Sequence, residues 1–84
     1  MNRRERFLST PLHRLIMELV LERPEGAGES ELLEALQKEG LDVSKGELYA
    51  ELMKLELQGY VHVEPIGKEL KIRASPKLSE VLGG

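Results

Sequence analysis

The sequence predicts a mostly helical α+β domain of three helices, a two-stranded hairpin and a short terminal helix. Three observations predict it. Eighty-four residues make one domain. Apolar residues recur with a helical period up to about residue 58, broken twice by turn signals. After Gly59 the period changes from 3.6 to 2.

The first helix starts at Thr10 or Pro11. Thr10 can cap it, and proline at the first helical position gives up no needed N–H. Leu12, Leu15, Ile16, Leu19 and Val20 form one apolar stripe, and Pro24 closes the helix. Residues 24–28 read as a loop. The second helix runs from Glu29 or Ser30 to Glu39, burying Leu32, Leu33, Ala35 and Leu36, with Gly40 as its left-handed cap. Leu41–Val43 is a short turn with room for a third strand.

The third helix has the clearest start. Ser44 and Glu47 have the spacing of a capping box, and Val43 can staple onto Leu48. Leu48, Leu52 and Leu55 face inward, Tyr49 sits on the flank, and Gly59 ends the helix. Residues 60–64 and 70–74 then alternate as strands, joined through Pro65–Lys68. Ser75-Pro76 repeats the cap-plus-proline signal before a last helix that buries Leu78, Val81 and Leu82.

The order helix, helix, helix, hairpin resembles a winged helix-turn-helix domain over about residues 10–82. The likeness is densest at residues 41–63. Ser44, Gly46, Leu48, Tyr49, Leu52, Leu55, Gly59 and Val61 fit the recognition helix and its exit in PadR-like transcriptional regulators. The resemblance implies that residues 44–59 enter the DNA major groove. It also implies that the hairpin near Pro65–Lys68 is a wing on phosphates or the minor groove. The long C-terminal dimerisation region of PadR-like proteins does not follow within these residues. A homodimer is still expected, since one such module usually contacts a half-site.

A helical wheel at about 100° per residue points Gly46, Glu47, Ala50, Lys54 and Leu57 away from Leu52. Gly46 and Ala50 are small enough for close approach to a groove. Lys45 and Lys54 can reach phosphates or guanine edges. Lys68, Lys71 and Arg73 on the hairpin, with Arg3, Arg4 and Arg6 in a basic arm at residues 1–9, are the phosphate-contact candidates. Glu47 is better spent on the capping box than on DNA. Glu29, Glu31 and Glu34 read as solvated, Glu29 and Glu31 also favouring the helix start.

Met53 and Leu57 stand where the PadR-like pattern is usually polar. Both are candidate contacts for a protein partner, and the plain alternative for Met53 is cover by the hairpin or terminal helix. Tyr49 reads as a packing residue with its hydroxyl at the surface, and Tyr60 as core. His13 and His62 read as surface histidines.

With no cysteine, disulfides and thiolate metal sites are excluded. Two histidines at unrelated positions suggest no metal or cofactor site. No triad, P-loop, GxGxxG or HExxH is present, so no enzyme is expected. No apolar run approaches the ~20 residues of a membrane span, and no signal peptide is evident, so the default location is the cytoplasm.

Net charge is −3, which alone argues against a simple polycationic nucleic-acid binder. Residues 24–43, however, hold six acidic groups against one basic, so the deficit belongs to the second helix and its flanks. The arm and the hairpin stay locally basic. Double-stranded DNA is therefore the expected partner. A protein-interaction module without direct DNA binding is the alternative, and RNA binding through the same hairpin is a weaker third.

Overall fold

The computed structural model describes residues 11–83. Its elements are helix α1 (Pro11–Leu21), strand β1 (Ala27–Gly28), helix α2 (Glu29–Lys38), helix α3 (Lys45–Leu57), strands β2 (Val61–Ile66) and β3 (Glu69–Ala74), and helix α4 (Pro76–Gly83). The fold class is α+β, with four helices and one three-stranded antiparallel sheet among the described residues. The Thr10 cap and the arm with Arg3, Arg4 and Arg6 lie outside them.

The third strand is not at Leu41–Val43. It is Ala27–Gly28, inside the segment read as a loop. It pairs with the outer edge of the hairpin, Ala27 opposite Ile72 and Gly28 opposite Lys71, giving the order β1-β3-β2. A two-residue strand has no period to detect. It exists because β3 offers an unpaired edge and Ala27 is small enough to be fully buried there.

The hairpin alternates as its sequence does. Val61 faces Ala74 and Val63 faces Ile72 toward the core, while His62–Arg73 and Glu64–Lys71 pairs occupy the outer face. Ile16, Val20, Leu32, Leu36, Leu48, Leu52, Leu55, Val61, Ile72 and Leu78 form the buried centre. Each fully buried Leu or Ile contributes about 1.5–3 kcal/mol over its exposed state. Val81 departs from expectation at 54% exposed. The short α4 meets the core through Leu78 and Leu82, leaving Val81 to solvent.

Helix ends follow local chemistry. Ser44 Oγ accepts from Glu47 N at 3.1 Å, and Glu47 Oε1 accepts from Ser44 N at 2.9 Å. The expected capping box is complete. Helices α2 and α3 both close on a glycine at positive φ, Gly40 at 86° and Gly59 at 83°. The amide after each glycine returns to the last turn, Leu41 N to Leu36 O at 3.0 Å and Tyr60 N to Leu55 O at 2.9 Å. Ser75 precedes α4, but its hydroxyl donates to Gly59 O at 2.6 Å and ties the end of β3 to the exit of α3. Lys77 Nζ donates to Gln58 O at 2.9 Å and lies over the half-buried ring of Tyr60.

Candidate nucleic-acid interface

Three inward leucines hold α3 against the core and leave a long solvent face. Lys45, Gly46, Glu47, Ala50, Met53, Lys54 and Leu57 are all exposed there. The four DNA candidates of this helix therefore share one accessible surface. Lys68 sits in the hairpin turn and is also exposed, as is Arg73.

Most of these cations have carboxylate neighbours. Lys54 Nζ is 3.4 Å from Glu51 Oε2, and Arg73 Nη1 is 3.3 Å from Glu64 Oε1. Lys45 Nζ lies 3.9 Å from Glu29 Oε2. Lys71 is half-buried, because its stem crosses Gly26; a Cβ there would stand 2.5 Å from Lys71 Cε. Its charge also acts on Glu31. The Arg73–Glu64 pair is exposed on both sides and contributes little to stability, whereas Lys45 and Lys54 face carboxylates that are largely buried.

The acidic second helix divides into two cases. Glu31 is exposed and accepts from Arg23 Nε at 2.8 Å and Gly28 N at 3.2 Å. The Arg23 and Gly28 hydrogen bonds hold its carboxyl below the ordinary glutamate range. Glu29 is not solvated. It is 2% exposed and joins three elements. Its Oε2 accepts from the Tyr49 hydroxyl at 2.7 Å, and its Oε1 accepts from Leu70 N at 2.6 Å. The Tyr49 bond, then the Leu70 bond, lower its pKa; burial opposes them and Lys45 assists. Tyr49 is raised in return, chiefly by donating to Glu29. Tyr49 stays 39% exposed, and its hydroxyl is bonded to a buried carboxylate.

Glu29 ties α3 and the hairpin to the start of α2. Its partners are 20 and 41 residues away, so no local pattern marks it. Beside it, the Glu69 carboxylate accepts from Ser30 N at 3.3 Å and Ser30 Oγ at 2.8 Å, capping α2 from β3. A second long-range pair is His13 Nδ1 with Glu51 Oε1 at 2.9 Å. It makes His13 a half-buried link from α1 to α3, not a plain surface histidine. Burial alone would raise Glu51, but the bonds from His13 and Lys54 and the Lys54 charge outweigh it and leave Glu51 lowered.

Between α3 and the hairpin lies a groove of about 230 Å³ lined by Tyr49, Leu52, Met53, Glu56, Val63 and Leu70. Met53 is 62% exposed, so neither the hairpin nor the terminal helix covers it. Leu57, one turn on, is 82% exposed. No group of three metal-binding side chains occurs among the described residues. No described helix is long and apolar enough to cross a membrane. Compared with protein-family models, curated proteins and solved structures, the chain finds no match.

Proposed function

We propose that the chain is a winged-helix DNA-binding module of a transcriptional regulator, with α3 as its recognition helix and the β2–β3 hairpin as its wing. One observation carries the reading. Helix α3 is anchored by Leu48, Leu52 and Leu55 while its opposite face stays open from Lys45 to Leu57, next to the hairpin. The order helix, strand, helix, helix, hairpin agrees with the resemblance to PadR-like regulators.

In this reading Gly46 and Ala50 admit the helix to the groove, and Lys45 and Lys54 contact phosphates or guanine. Lys68 and Arg73 clamp the backbone. Lys71 contributes less, because its stem is packed on the β1 edge. Arg3, Arg4 and Arg6 would add phosphate contacts from the arm. Backbone amide shifts on adding a mixed-sequence duplex at low salt test the assignment. Shifts confined to α3, the hairpin and the arm are expected; shifts elsewhere, or none, overturn it.

The second reading, a protein-interaction module, is favoured by the open Met53 and Leu57, which phosphate recognition does not use. A complex formed this way would be lost on Leu57→Asp.

A further inference from the structure

Helix α3 has two apolar faces, and only one is used by its own core. Leu48, Leu52 and Leu55 are buried. Tyr49, Met53 and Leu57 form a second ridge at i, i+4 and i+8, and they are 39%, 62% and 82% exposed. Rows at this spacing are the ones that interlock when two helices pack at about −50°. We propose that the occupant of this ridge is a second copy of the same chain, packed α3 against α3 about a two-fold axis.

The ridge is self-complementary when reversed. With the axis level with position 51, Tyr49 of one copy meets Met53 of the other. Lys45 meets Leu57, and Gly46 meets Glu56. The Lys45 stem can cover Leu57 while its ammonium reaches Glu56, an exposed carboxylate on the groove rim. Gly46 offers no side chain to hold the helices apart. Antiparallel helices also set each positive N-terminus beside a negative C-terminus. Glu51 causes no like-charge clash, because it turns to the opposite flank and bonds His13. Every contact occurs twice, as a two-fold interface requires.

The size fits as well. Tyr49, Met53 and Leu57 expose roughly 350 Å² between them, a little under half of the ~800 Å² that one side of a standard interface buries, so they would form its centre. The groove walls at Val63 and Leu70 extend it. This goes beyond the DNA reading: the contact covers Lys45 and Gly46, so DNA and the second copy compete for α3.

Sedimentation equilibrium without DNA, from micromolar to near-millimolar protein, tests the proposal apart from DNA binding. A monomer–dimer equilibrium is expected, weakened roughly 30-fold or more by Leu57→Asp or by Met53→Asp. Both sites are exposed, so at concentrations where the parent is monomeric the variants should unfold at the same temperature as the parent. Because the chain has no cysteine, a mixture of Lys45→Cys and Leu57→Cys chains should cross-link faster than either alone. A parent that stays monomeric throughout, a dimer indifferent to both aspartates, or no preference for the mixed cross-link overturns it.

Discussion

The Tyr49 hydroxyl donates to Glu29 Oε2 across 2.7 Å, and Glu29 is almost wholly buried. The same carboxylate accepts Leu70 N–H from β3. One side chain therefore links the start of α2, the middle of α3 and the hairpin.

Glu29→Ala leaves the Leu70 amide and the Tyr49 hydroxyl without their acceptor. The expected loss is about 2–3 kcal/mol, read as a lower urea midpoint at unchanged slope. Tyr49→Phe should shift the midpoint less, since the ring stays and Leu70 keeps its bond. Equal stability of the parent and Glu29→Ala would remove Glu29 from the account.

Acid should release the same latch. Glu29, Glu31 and Glu51 all sit below the ordinary glutamate value of 4.5 in the folded chain. Their contribution is complete above that value and is lost as pH falls from it through their lowered folded values. Stability should decline once pH drops below about 4.5, less steeply in Glu29→Gln. Tyr49 runs the other way. Held protonated by Glu29, it contributes fully below 10.0 and loses its bond as pH rises through its raised folded value. Ultraviolet titration should place this phenol above 10.0 and return it toward that value in Glu29→Gln.

His13 and Glu51 join α1 to α3 at 2.9 Å. A double-mutant cycle with His13→Ala and Glu51→Ala should give a coupling on the order of 1 kcal/mol. Additive losses would mean that each residue acts through other neighbours.

Gly26 should not accept a side chain, because its φ of 108° is a backbone conformation that residues with a Cβ rarely adopt; a Cβ there would also displace the flexible end of Lys71. Gly26→Ala is expected to cost about 1–3 kcal/mol, chiefly as backbone strain. Heat denaturation measures it; an unchanged Tm would contradict the strained backbone at this turn.

Local chemistry made much of this fold legible. The Ser44–Glu47 box is satisfied in both directions, and the alternation at 60–64 and 70–74 is the observed pairing. The glycines that end α2 and α3 do so at positive φ. What escaped detection depends on distant partners. Ala27–Gly28 is a strand only because β3 lies beside it. Glu29 looks like any helix-start acid until Tyr49 and Leu70 fold over it. Met53 and Lys71 depend on where the hairpin lies, which a helical wheel does not contain.

Titrating a fluorescent mixed-sequence duplex with the full chain, at low and raised salt, tests the central claim most directly. The account predicts binding whose log K falls linearly with log salt, by about 0.9 per phosphate contact. Lys54→Glu and Arg73→Glu should each weaken it and make the slope shallower by about 1. Absence of binding at low salt, or affinity unchanged by both substitutions, would contradict the DNA reading.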